Sequence, residues 1–175
     1  MTIFRDLETQ LKCEIEIKHL NFDNNEYIIN HIDKLLPDWK TYPKTIIFLF
    51  FECKYSLDGS DLIQEQLEKD RLLLKFNQLG YQFYSLCQKQ GILSEIICPK
   101  NGTPQYSTKG KQIFSIQQLI LRYLPSLRVK SNQCGIIHPL WNQAVYPCLM
   151  LSLGDVENII PVIEQITQPI FDLEM

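Results

Sequence analysis

The sequence predicts a single α+β domain, in which one long helix packs on a mixed, mostly antiparallel sheet. Strand-like patterns lie on both sides of one long helical pattern, as expected when strands and helices are segregated. The chain has 175 residues, enough for one well-packed domain and too few for two. Because no repeat, low-complexity tract or linker divides the chain, the domain is predicted to span residues 1–175.

The first half of the chain predicts two strands around a helix. Residues 12–18 alternate apolar and charged side chains, which indicates a half-buried strand. Asn24 and Asn25 can cap the next helix, and Pro37 ends it. Residues 45–55 then begin with a continuous apolar run, typical of a central strand buried on both faces.

The longest helix is predicted over residues 61–90. Large apolar residues recur there at spacings of four and three and form one core-facing stripe: Leu72, Phe76, Leu79, Phe83 and Leu86. Gly91 suits the position after the helix, where a positive φ is favoured. A coiled coil is the alternative, but two heptads interrupted by Gly80 support it weakly.

The segment after the long helix predicts a strand, a loop and a short helix. Residues 92–98 have strand character, and residues 99–112 are rich in Gly, Pro, Ser, Thr and Lys. That composition is typical of a mobile surface segment that closes over something. Ser115 can cap a short helix that runs through Tyr123.

The last third predicts two strand pieces, a long strand and a C-terminal helix. The pieces are residues 127–129 and 135–138, the long strand is residues 144–153, and the helix is residues 156–167. Pro147 favours an edge or a bulge for the long strand, because proline cannot donate to a ladder.

Composition excludes several classes of function. The net charge is −3, which argues against a general nucleic-acid surface and so against a nucleic-acid partner. No apolar segment reaches the ~20 residues that cross a bilayer, so no membrane association is expected. The first residues lack a signal-peptide pattern, and scattered cysteines without a CxxC pair favour reduced thiols in the cytoplasm.

The candidate functional residues are Cys134, His138 and Trp141, which lie within eight positions of one another. Cys134 is flanked by polar residues and Gly135, which predicts a loop thiol that can be partly thiolate beside a histidine. Zinc binding and a Cys–His nucleophile are alternatives. An extended chain separates positions i and i+4 by ~13 Å, which is too far for Cys134 and His138 to bind one zinc ion. No recognisable motif surrounds Cys134, which argues against a catalytic nucleophile. Each residue also has an ordinary core or strand-end role.

Other candidate sites are absent or structural. No GxGxxG or GxxxxGK[ST] motif occurs, and the acid pairs Glu14/Glu16 and Glu65/Glu68 are interpreted as solvated faces. The remaining cysteines fall inside predicted strands or the long helix and are expected to be core residues: Cys13, Cys53, Cys87, Cys98 and Cys148.

Three stretches of the chain resemble the methylmalonic aciduria and homocystinuria type D (CblD) family of vitamin B12 trafficking proteins. They are Leu35-Leu36-Pro37-Asp38 with the strand over residues 44–55, Arg71-Leu72-Leu73-Leu74-Lys75-Phe76 through Gly91 to Cys98-Pro99, and Ile137-His138-Pro139-Leu140-Trp141. The last is similar to the family's His-Ser-Leu-Trp. The likeness covers roughly residues 35–153.

The resemblance implies a nitroreductase-like fold without a flavin site, and a non-enzymatic adaptor that hands on cobalamin. The implied partner is a CblC-type cobalamin-processing protein, and the implied cobalt ligand is Cys134, with His138 and Trp141 shaping the cobalamin site or the docking edge. Cys134 lies nearer to His138 than the family's cysteine lies to its histidine. The family's N-terminal targeting region is missing here, which fits a cytoplasmic protein.

Two other functions remain open from the sequence. One is a small flavin- or thiol-dependent reductase on the same fold, although no basic cluster suits a flavin phosphate and no flavin is expected. The other is a ligand-free interaction domain, in which the strand ending at Leu153 pairs with a partner if it lies at a sheet edge. A homodimer is a possible assembly for this last class.

Overall fold

The structure is a computed structural model that describes the backbone of residues 2–5 and, in full, residues 11–20, 27–129 and 135–168. Five strands form the main sheet in the order β1-β2-β3-β7-β4, and every described pairing is antiparallel. These strands are β1 Thr2–Arg5, β2 Lys12–His19, β3 Thr45–Glu52, β4 Ser94–Ile97 and β7 Val145–Ser152. The α+β class is thus confirmed.

Four helices are described: α1 Tyr27–Leu35, α2 Leu62–Lys89, α3 Ile116–Tyr123 and α4 Val156–Thr167. Their ends follow local chemistry. Asp61 accepts a hydrogen bond from the Gln64 N–H at the start of α2, and Ser115 accepts one from Gln118 at the start of α3. Gly91 has a φ of 71°, as predicted for the residue beyond α2. The predicted caps Asn24 and Asn25 lie outside the described residues.

Both faces of the sheet are covered. On one face α2 and α4 bury a core that includes Leu72, Phe76 and Phe83 of the predicted stripe, while Leu79 and Leu86 pack at its border. On the other face α1, α3 and a two-stranded ribbon (β5 Arg128–Val129 and β6 Ile136–Ile137) cover Phe48 and Phe50. This double cover explains why β3 is apolar on both faces.

The long C-terminal strand is central and not at an edge. β7 pairs with β3 along its whole length and with β4 from Leu149 to Ser152. A partner strand could add to β7 only where β7 lies at a sheet edge. From Leu149 to Ser152 it does not, because β4 already occupies that position. The predicted strands over residues 45–55 and 92–98 are also shorter, ending at Glu52 and Ile97.

The loop predicted to be mobile is tied to the domain by a buried carboxylate. Glu95 is fully buried in β4, and its two oxygens accept N–H groups from Ile96, Gln105, Tyr106 and Ser107 at 2.7–3.0 Å. Further along, the Thr108 N–H donates to Asp38 and the Gln112 N–H to the carbonyl of Lys34. These bonds hold residues 104–112 against α1 and the outer side of β4.

Among the described residues, no helix is long and apolar enough to span a bilayer.

Candidate functional site

A cleft of about 520 Å³ lies where β4 ends early beside the start of β7. Its walls are α2, the turn after β4, the start of α3, the start of β6 and the start of β7. Representative lining residues are Lys69, Asp70, Lys100, Ser115, Ile136 and Tyr146. The volume falls within the range of small-ligand pockets, about 300–1,000 Å³.

Two prolines explain why the sheet opens at this place. In β4 the last pairing is Ile97 with Leu149, and two further steps of that register would set Pro99 opposite Pro147. Neither proline has an N–H to donate, so the ladder ends there. Both prolines line the cleft. The prediction that Pro147 needs an edge is met locally, since this part of β7 has no β4 residue beside it.

The ladder also shows which main-chain groups of β7 face the cleft. The Cys53 N–H donates to the carbonyl of Ala144, whereas the Leu153 N–H donates to the carbonyl of Leu93. Alternate residues of a strand therefore bond to β3 and to β4. Val145 and Leu153 are an even number of residues apart, so the N–H and C=O groups of Val145 point to the β4 side of the strand, as those of Leu153 do. Beside Val145 that side has no β4 residue.

Tyr146 closes the floor of the cleft from the α2 side of the sheet. Burial raises the pKa of its phenol, and the neighbouring Cys148, Cys98 and Asp70 act in the same direction. The hydroxyl therefore stays protonated at neutral pH. It offers the cleft a neutral donor and acceptor.

The first predicted site residue, Cys134, lies outside the described residues. The structure resumes at Gly135, and both Gly135 and Ile136 line the cleft. The position adjoining Cys134 is thus part of the cleft wall.

His138 is fully buried beside a second buried polar residue, Glu14. The Nε2 atom of His138 lies 3.1 Å from Oε2 of Glu14, but these two atoms are not aligned as a regular hydrogen bond, so the contact is electrostatic. On the other side of the ring, Nδ1 accepts the N–H of Leu140 at 3.2 Å. For a neutral ring this assigns the proton to Nε2, which faces Glu14.

Trp141 stacks on the His138 ring, with ring centroids 4.4 Å apart and planes 13° apart. Reciprocal main-chain hydrogen bonds between His138 and Asn142 close the turn that carries Trp141. The structure thus brings two of the three predicted residues together. Neither lines the cleft, although Ile136 and Gln143 on either side of them do.

Four buried acids were not predicted from the sequence: Glu14, Glu65, Glu68 and Glu95. Glu14, Glu65 and Glu68 are 3–5% exposed, so the interpretation of these acids as solvated is wrong for all three. Glu68 accepts the Lys54 N–H and pairs with Arg71, and Glu65 accepts the Gly59 N–H. Glu95 received no role from the sequence. The signal for the burial of Glu14 was the neighbouring strand β3. That strand is apolar on both faces, which indicates a sheet that is covered on both faces.

Four of the five described cysteines are core residues as predicted, and Cys98 is not. Burial raises the pKa of Cys53 to about 12 and that of Cys87 to about 11, and it raises the pKa of Cys13 and Cys148 further. Cys98 is half-buried at the end of β4. The residues that the structure describes include no cluster of three or more His, Cys, Asp or Glu placed to hold a metal ion.

Comparison with known proteins gives no family assignment. No family model matches the chain, and no curated protein matches it.

Proposed function

We propose that this protein is a cytoplasmic, non-enzymatic adaptor in cobalamin trafficking. It docks on a CblC-type processing protein and contacts the cobalt of its cargo through the thiolate of Cys134. The observation that carries the proposal is the cleft, because its wall begins at Gly135, the residue next to Cys134. The resemblance of residues 137–141 to the family motif supplies the class of cargo.

The chemistry of the other thiols supports Cys134 as the ligand. A cysteine ligates cobalt as its thiolate, and burial raises the pKa of four described cysteines, which keeps them protonated at neutral pH: Cys13, Cys53, Cys87 and Cys148. Cys98 is only half-buried. It is therefore the proper control for Cys134.

The buried pair of Glu14 and His138 supports a stable frame for the site. The turn from His138 to Asn142 is closed by two main-chain hydrogen bonds of 2.8 and 2.9 Å, and Trp141 packs on the imidazole. This turn leads from β6, which follows Cys134 in the chain, into β7, which forms the cleft edge. We assign His138 and Trp141 to positioning, and not to contact with the cobalt.

The experiment uses UV–visible spectra of reduced cobalamin under anaerobic conditions. Cobalamin is titrated with wild type, Cys134→Ser and Cys98→Ser, each alone and with a CblC-type protein present. A spectral change that requires Cys134 and survives Cys98→Ser is expected. A change that survives Cys134→Ser, or no change even with the partner present, would refute the assignment.

A further inference from the structure

The strand β7 has an unpaired edge over its first half. β4 bonds to it only as far as Leu149, and before that residue the groups that point to the β4 side are the N–H and C=O of Val145 and the C=O of Pro147. No described residue forms a hydrogen bond with any of these three groups. Unpaired main-chain groups along a strand edge are a template for another extended segment.

A turn at the end of β4 keeps this edge open. The Cys98 N–H donates to the carbonyl of Thr103, and the Gly102 N–H donates to the carbonyl of Cys98, each at 2.8 Å. Pro104 then pairs with Ile97 on the side of β4 that faces away from β7. These bonds turn the chain back along the outer side of β4, so the position beside Val145 and Pro147 is left to the cleft.

The cleft offers a different wall to each face of an added strand. Val145 belongs to the core on the α3 face of the sheet, where Ile116 and Ile136 line the cleft. Tyr146 belongs to the core on the α2 face, where Asp70 lines the cleft. Because side chains alternate along a strand, every second side chain of an added segment would meet the apolar wall, and those between would lie beside Tyr146.

Tyr146 is a buried polar group that lacks a partner. Its side chain lines the cleft and is 8% exposed, and its hydroxyl forms no hydrogen bond with any described residue. A buried phenol normally has a hydrogen-bond partner. In an added strand one residue stands directly opposite Tyr146 at a non-hydrogen-bonded position, where cross-strand side chains are closest. An amide or carboxylate there would bond to the phenol, and the exposed Lys100, which also lines the cleft, favours an acid nearby.

We propose that an extended segment of a partner protein adds to the main sheet in this cleft, antiparallel to β7 and in line with β4. One residue of the segment exchanges two main-chain hydrogen bonds with Val145, and another donates to the carbonyl of Pro147. Apolar side chains of the segment pack on the wall of Ile116 and Ile136. The three unpaired main-chain groups select an extended main chain as the occupant, because they are spaced as a strand spaces its own donors and acceptors.

The inference deepens the proposed function, because it supplies the way in which the docking partner is held. It rests on that proposal only for the partner's identity, a CblC-type protein. Gly135 lines the same cleft, so a segment bound there would lie next to the position that adjoins Cys134. The test below contains no cobalamin and leaves Cys134 unchanged, so its failure is distinguishable from failure of the spectral experiment.

The probe is the peptide acetyl-Glu-Val-Gln-Val-Glu-amide, titrated into the wild-type chain and followed by NMR. In the proposed register Gln stands opposite Tyr146, and the second Val stands opposite Val145. Hydrogen exchange at the Val145 amide should slow at least about tenfold at saturating peptide. Methylating the main-chain nitrogen of the second Val removes a donor to β7 and should raise the Kd at least about tenfold, whereas methylating that of Gln, which points away from β7, should change it less than about threefold.

Variants of the protein test the same contacts from the other side. Val145→Pro removes the N–H donor and should raise the Kd of the probe at least about tenfold. Pro147 shows that β7 accepts a proline whose nitrogen points to this side. Tyr146→Phe should weaken binding about threefold, and Tyr81→Phe, which changes an exposed tyrosine outside the cleft, should leave it unchanged. The two methylated peptides use the wild-type chain, so they decide the question even where Val145→Pro does not fold.

Four outcomes would overturn the proposal. A Val145 amide that already exchanges slowly in the free protein would mean that the chain fills its own edge, and protection that grows with protein concentration alone would identify a second copy as the occupant. Equal binding of the two methylated peptides would mean that the cleft recognises side chains, as a small-molecule site does. A Val145 amide that stays unprotected at millimolar peptide would exclude strand addition.

Discussion

Nε2 of His138 and Oε2 of Glu14 lie 3.1 Å apart between two side chains that are 0% and 3% exposed. The contact joins β2 to the turn that precedes β7, two elements that are far apart in the chain. Phe50 of β3 lies against the same imidazole, with ring centroids 5.8 Å apart. The pair thus attaches the turn carrying Trp141 to the centre of the sheet.

Glu14→Ala should destabilise the fold, because it removes the buried carboxylate that contacts the imidazole and leaves a cavity in its place. The expected loss in the free energy of unfolding is about 1–3 kcal/mol, measured by urea denaturation. Glu52→Ala is the control in the neighbouring strand, where the ion pair with Lys12 is partly exposed and is worth less than about 1 kcal/mol. Equal losses for the two variants would mean that the buried His138–Glu14 pair stabilises the fold no more than a partly exposed ion pair does.

Glu95→Ala should release the loop that follows β4. Removing this carboxylate leaves the N–H groups of Ile96, Tyr106 and Ser107 without their acceptor, while that of Gln105 keeps the carbonyl of Ile96, so the loss in stability should reach about 3 kcal/mol. Hydrogen exchange should accelerate at the amides of Gln105, Tyr106 and Ser107. Asp38→Ala removes the acceptor of a single N–H, from Thr108, and should leave these three amides as slow as in wild type.

Gly102→Ala should be far more harmful than Gly91→Ala, although both glycines have a φ near 70°. Each alanine has the cost of the left-handed conformation, about 1–2 kcal/mol. At Gly91 a Cβ meets open space, whereas at Gly102 it collides with the main-chain oxygen of Phe114. Thermal unfolding should therefore show a clearly lower Tm for Gly102→Ala. Similar Tm values for the two variants would contradict this packing of the cleft wall.

The contribution of Glu68 to stability should depend on pH. Burial alone would raise the pKa of its carboxyl, but the Arg71 guanidinium and the Lys54 N–H together lower that pKa below its ordinary value. A group with a lowered folded-state pKa stabilises the fold above its unfolded-state pKa, and this stabilisation is lost as pH falls through the folded-state value. Glu68→Gln should therefore destabilise the protein at pH 7, and its difference from wild type should shrink below about pH 4. A difference that stays constant down to pH 3 would disprove the role of the charge.

The helices were predictable because their signals are local. Ser115 caps α3 as predicted, and Gly91 takes the predicted positive φ. The strand pieces at β5 and β6 were also predicted, since each lies in a short, mainly apolar run.

The order of strands and the burial of acids were not predictable from local patterns. Pairing between β3 and β7 joins residues about a hundred positions apart, and no spacing rule specifies that neighbour. Alternation in β2 indicated one solvated face, but a second layer covers Glu14 there. Glu95 stands in a short strand whose outer side is covered by its own loop, which only the folded chain shows.

The most direct test of the central claim is electron paramagnetic resonance of Co(II) cobalamin bound to the protein, with the CblC-type partner present. The nitrogen that normally ligates the lower face of cobalt splits each line, whereas sulfur-32 has no nuclear spin. The proposal predicts that wild type and Cys98→Ser remove the nitrogen splitting and shift the g values, and that Cys134→Ser restores the spectrum of cobalamin with the partner alone. A spectrum that is the same for wild type and Cys134→Ser would contradict the proposal.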